Sequence, residues 1–218
     1  VGVHWSIQNK PVRGGFFQNQ LKLLWVVAFV LPGCLLVSAQ ILQQPSQQQD
    51  QKQVITFPKV EQEELFHQAI EALEADNKTA MIQLMDRAVA TDMTNHFAYI
   101  KRAQLCDLIG KNGQAARDYT TALGYVGHDE HYADVFQMRG CANFKLGNLQ
   151  GAVSDWVNFI RLKPDKEAKH WQICVAYALL GSYEEARKKF EWHWTVNAED
   201  MEVAFWHYLC VARMDGLE

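Results

Sequence analysis

Arg139-Gly140-Cys141-Ala142-Asn143-Phe144-Lys145-Leu146-Gly147 stands 34 residues ahead of Ile173-Cys174-Val175-Ala176-Tyr177-Ala178-Leu179-Leu180-Gly181. In both, a small residue comes second, an alanine fourth and a glycine ninth. The agreement continues beyond them: Ala152 aligns with Ala186, Trp156 with Phe190, and Phe159 with His193. A third copy lies upstream, from Arg102-Ala103 through Ile109-Gly110 to Ala115 and Tyr119. Its offset is 37, so three residues are inserted around Gly127–Tyr132. Self-similarity at such a period marks a chain of stacked supersecondary units rather than one irregular core.

The spacing inside each copy predicts an all-α unit of two helices. Gly at the junctions Leu146-Gly147-Asn148 and Leu180-Gly181-Ser182 ends one helix and lets the next begin. Small residues recur where two helices cross closely, and aromatics recur where the next unit must be packed. The pattern resembles the tetratricopeptide repeat. Counting repeats from His96, Ala133 and Glu167, the small residue at position 8 is Ala103, Gly140 and Cys174. The glycine at 15 is Gly110, Gly147 and Gly181, the alanine at 20 is Ala115, Ala152 and Ala186, and the aromatic at 24 is Tyr119, Trp156 and Phe190. Pro164 takes position 32. A weaker copy starts near Gln62, with Ala69 and Ala88 at positions 8 and 27.

The expected units are thus 62–95, 96–132, 133–166, 167–200 and a partial 201–218. The resemblance implies an α-solenoid over 59–218 that curves right-handedly. Departures from the pattern are Phe159 and His193 at position 27, where Ala is usual, and Asn143 at position 11. The last unit is a single aromatic helix, read as truncated, as a cap, or as a face for self-association.

Membership would also imply a function: holding a protein or peptide segment, with no catalysis. The first helices of such repeats line an inner groove through positions near 2, 5, 9, 12 and 13. These are Phe97, Ile100 and Gln104, then Gln137 and Phe144, then Trp171, Val175 and Leu179, and finally Phe205 and Leu209. The Lys/Asn/Arg set that grips a terminal carboxylate in some family members is missing, with Ile100 and Gln104 in its place, so an apolar segment is the expected ligand. The C-terminal third adds Tyr183, Trp192, Trp194, Trp206 and Tyr208, residue types favoured at interfaces and equally at home between repeats.

The N-terminal quarter differs. Residues 1–58 carry four bases and one acid, whereas 59–218 carry the other 17 bases and 24 acids, a net of 17 − 24 = −7. Such a body is a poor match for nucleic acid, which wants clustered cations. Lys10, Arg13 and Lys22 precede an apolar run from Leu23 to Val37 that ends in Val37-Ser38-Ala39. Residues 1–39 are expected to be a signal peptide cut after Ala39 or an uncleaved anchor. Leu31-Pro32-Gly33-Cys34 also offers Cys34 for lipidation. Export, with the membrane touched only through this segment, is the expectation. From Gln40 to Gln53 eight of fourteen residues are Gln, a spacer composition, so 40–58 is expected to be a linker. The alternatives are a membrane-attached lipoprotein and an adaptor region cut from a larger protein or enzyme.

No nucleotide-binding loop, nucleophile elbow or paired carboxylate motif occurs. His128 and His131 have a metal-like spacing without further ligands, so no metal or cofactor is expected. Cys106, Cys141, Cys174 and Cys210 recur once per repeat on first helices, too far apart for regular disulfides, and are expected to be buried.

Overall fold

The computed structural model describes residues 57–216, so the readings of residues 1–39 and Cys34 lie outside it, as does nearly all of 40–58. Among the described residues there are nine α-helices and no strand. They alternate as first and second helices: α1 (Phe57–Glu74) with α2 (Lys78–Thr91), α3 (His96–Leu108) with α4 (Asn112–Val126), α5 (Ala133–Lys145) with α6 (Leu149–Leu162), and α7 (Trp171–Leu179) with α8 (Tyr183–Trp194). The unpaired α9 (Met201–Met214) follows. The two helices of each hairpin pack on each other and the second packs on the first helix of the next unit, an all-α repeat solenoid. No described helix is long and apolar enough to cross a membrane.

Two expected boundaries move. Helix α1 begins at Phe57, inside the segment assigned to the linker and five residues before the counted repeat start. The fourth unit's first helix starts at Trp171, because Pro164–Lys169 is wound as a 3-10 helix instead. The three-residue insertion forms a second 3-10 turn, Glu130–Tyr132.

The junctions explain the glycines. Gly110, Gly147 and Gly181 have φ of 78°, 78° and 81°, the left-handed region that a β-carbon disfavours. Around each, two hydrogen bonds close the helix end, as from Gly110 N–H to Asp107 O and from Lys111 N–H to Cys106 O. The first repeat makes the same closure with Asp76 at φ 54°, which is why its glycine is absent from the sequence pattern.

Positions 8 and 24 are matched in volume. A β-carbon on Gly140 would lie 2.5 Å from Trp156 Nε1 and 2.7 Å from its Cδ1, so this pair tolerates only glycine. Where the aromatic is Tyr119 the small residue is Ala103, and where it is Phe190 it is Cys174; all of these are buried. The larger the ring, the smaller its counterpart, as dense packing demands. Ala115, Ala152 and Ala186 are fully buried beside them.

Ion pairs bind the middle of the array. Arg102 grips Asp118 through two bonds of 2.8 Å and reaches Asp86 of the preceding hairpin at 2.9 Å. Arg139 grips Asp155 in the same way and reaches back to Thr120. Asp118 and Asp155 are almost inaccessible. At the equivalent places in the next hairpin stand Ile173 and Lys189. Lys189 pairs with Glu167 at 3.1 Å. Along α8 itself Glu184 pairs with Lys188, four residues on, at 3.3 Å.

Candidate groove on the first helices

The ten residues expected to line the groove separate into two groups. Ile100, Gln104, Gln137, Phe144 and Val175 are buried, and this corrects their assignment as contact residues. The reason is that in the second to fourth units side chains of neighbouring first helices meet one another, which covers positions 5 and 9 of the second unit, 5 and 12 of the third and 9 of the fourth. Gln104 Nε2 donates to Met138 Sδ at 3.6 Å, joining α3 to α5. Gln137 Oε1 accepts from His170 Nε2, joining α5 to the start of α7. Below them Lys145 Nζ meets Asp107 at 2.6 Å, with side chains 6% and 0% exposed. Two desolvated charges are tolerable only in such close contact.

The second group remains accessible: Phe97 and Phe205 are exposed, and Trp171, Leu179 and Leu209 are half-buried. The first repeat contributes Ile70, exposed, with Phe66 and Leu73 half-buried. Sequence reading missed these three, although they fall at positions 9, 5 and 12 of the weak copy counted from Gln62. Position 2 supplies acids, Asp134 on α5 and Glu202 on α9. Burial raises both carboxyls above the ordinary range; Lys163 and Lys166 oppose the shift at Asp134, and Asp200 adds to it at Glu202. The accessible strip is therefore apolar with carboxylates beside it.

The imidazoles and thiols are structural. His170 lies among Trp156, Phe159 and Gln137; with Nε2 donating, its Nδ1 has no partner, and burial pushes it down to about 4. His193 donates from Nδ1 to Ala168 O at 2.9 Å, filling the place where Ala is usual. His128 stacks on Phe136, while His131 pairs with Asp129, so the two point to separate neighbours. Among the described residues no group of three or more His, Cys, Asp or Glu gathers to hold a metal. All four cysteines of the repeats are buried. Burial lifts the thiols of Cys106 and Cys210 to about 11 and that of Cys174 to about 12, so they act as small hydrophobes. Among the aromatics of the C-terminal third, Phe190 is closed in the core, whereas Trp192, Phe205 and Tyr208 are exposed.

Neither a family model nor a curated protein matches this sequence. Solved structures do. A MamA protein superposes with a TM-score of 0.63 at 15% identity, over 72% of this chain and 84% of its own. A tetratricopeptide-repeat protein of Parabacteroides merdae gives 0.61 at 18% identity, over 72% of this chain and 61% of its own. YrrB, described as a TPR protein with an unusual peptide-binding site, gives 0.60 at 17% identity, over 71% and 78%. These likenesses place the described residues in the tetratricopeptide-repeat fold.

Proposed function

We propose that this tetratricopeptide-repeat solenoid is a non-catalytic scaffold that works outside the cytoplasm and takes an apolar segment of a protein partner along its first-helix face. The observation that carries the reading is the accessibility of four apolar side chains on first helices, Ile70 on α1, Phe97 on α3, and Trp171 and Leu179 on α7. An extended or helical peptide presenting apolar anchors suits accessible apolar side chains of this kind. The carboxylate of Asp134 favours a basic residue in the partner. The peptide-binding site in the name of YrrB supports the same use for the same fold. The net charge of −7 in the repeats argues against a nucleic-acid partner.

Selection from a displayed peptide library tests the groove. Apolar peptides should be enriched by the full chain and lost by Phe97→Glu and Trp171→Glu variants that keep their helical content. Enriched peptides that bind both variants as tightly as the parent would sink the reading. Export rests on residues 1–39 and is tested separately by the mass and fractionation of the mature protein. A chain beginning at Gln40 in the exported fraction supports a cleaved signal, and a membrane-bound chain beginning at a lipidated Cys34 supports an anchor.

A further inference from the structure

Helix α9 is apolar on two opposite sides. Val203 and Cys210, seven residues apart, are buried against the preceding hairpin. On the far side Met201, Phe205 and Tyr208 are 81%, 54% and 64% exposed, and Ala212 continues their line. Steps of four, three and four residues keep one narrow face at 3.6 residues per turn, and they are the spacing of a coiled-coil seam. Half-buried Ala204, Leu209 and Val211 flank that seam.

The seam is not shaped for a second helix of the kind the other repeats use. Position 8, where the hairpin partner packs, is Ala69, Ala103, Gly140 and Cys174 in the four complete units, all closed over. In α9 the same position is Tyr208. A helix packed as closely as α6 packs at Gly140 would collide with the phenol ring.

We infer that this face of α9 pairs with α9 of a second copy of the chain, antiparallel about a two-fold axis. Antiparallel pairing of the seam sets Phe205 against the partner's Tyr208 and Met201 against the partner's Ala212, each contact occurring twice. An aromatic pair sits at the centre and a large residue meets a small one at the ends. The same register sets Arg213 on the flank of the seam that carries the partner's Glu202, and nearly level with it along the axis. Arg213 is exposed and has no ion pair among the described residues. The Glu202 carboxyl lacks a hydrogen-bond partner for its buried Oε1. Self-complementarity of one patch is what a two-fold interface requires, and opposed helix dipoles add to it. Phe205 then belongs to this interface rather than to the peptide strip.

Sedimentation equilibrium of the full chain tests the pairing. The parent should show twice the chain mass, falling on dilution, and Tyr208→Glu and Arg213→Glu should each shift the association at least tenfold. Val60→Glu, at the other end of the array, should leave it alone. Circular dichroism checks that each variant is folded; Arg213 is exposed, so its variant decides the matter if Tyr208→Glu does not fold. The register is read with a Met201→Cys/Ala212→Cys variant. Diamide, reduced to its hydrazine, takes one thiol from each copy to an intermolecular disulfide, and the expected product is a covalent dimer. A single-chain mass at every concentration, an association indifferent to both glutamates, or no cross-link in the double-cysteine variant would overturn the proposal. The peptide strip is unaffected by any of these results, since Phe97 and Trp171 lie outside the seam.

Discussion

The hairpins α3–α4 and α5–α6 are held differently from the stretch α7–α9, although one repeat pattern generates both. In the former, Arg102 and Arg139 each lock an almost buried aspartate on the second helix and reach back to the hairpin before. In the latter the arginine is replaced by Ile173 and then by His207, which meets Glu191 at 3.3 Å on the surface. Packing there falls to aromatic rings and to the imidazoles of His170 and His193. The same architecture thus runs on desolvated charge at one end and on rings with titratable edges at the other. Charge pairs of the first kind cannot lose one member, whereas those of the second lie in water and matter little.

The largest effect should come from breaking the buried pair of the middle repeats. Lys145→Met takes the ammonium from buried Asp107 and is expected to cost about 3–5 kcal/mol in urea unfolding, against a few tenths for Lys189→Met, whose partner Glu167 is partly solvated. Equal losses would erase the distinction between the two regions.

Acid should act at the other end. His170 is held neutral in the fold, with its value pushed from 6.5 down to about 4. The unfolded chain takes up the proton first, so the fold keeps its full stability above pH 6.5 and loses about 3 kcal/mol as the pH falls toward 4. Thermal melts across that window should fall more steeply for the parent than for His170→Gln. Parallel slopes would remove the imidazole from the account.

Gly140→Ala should cost about 2 kcal/mol, because the added carbon meets a fully buried Trp156 that has no room to yield. Pairing the change as Gly140→Cys with Trp156→Phe copies the Cys174/Phe190 solution of the next repeat and should recover much of the loss. Failure to recover would mean the two repeats are packed by different rules.

The smallest effect expected is a gain. Asp76→Gly removes a side chain from a left-handed position and should stabilise the first hairpin by about 1 kcal/mol, seen as a higher urea midpoint.

The first repeat and the groove show where sequence reading stopped. Ala103, Gly140, Cys174 and the rings that face them were legible because each position must satisfy one local constraint in every copy. Asp76 concealed the same turn, since an aspartate there obeys the backbone geometry without displaying it. The groove positions were half legible. Counting places Ile100, Gln104, Gln137, Phe144 and Val175 on first helices, but whether such a residue meets solvent or the next first helix depends on how closely the repeats stack. Ile70, Phe66 and Leu73 escaped because the weak copy was not carried through to the groove.

Fold class, the repeat frame and the capping glycines follow from the sequence alone, because period and turn chemistry act over a few residues and leave local marks. The pairing of Arg102 with Asp118, the closure of Lys145 over Asp107, the solitude of His170 Nδ1 and the two-sided face of α9 were decided by tertiary structure. Each depends on distances between helices that share no local pattern, set by the volumes packed between them.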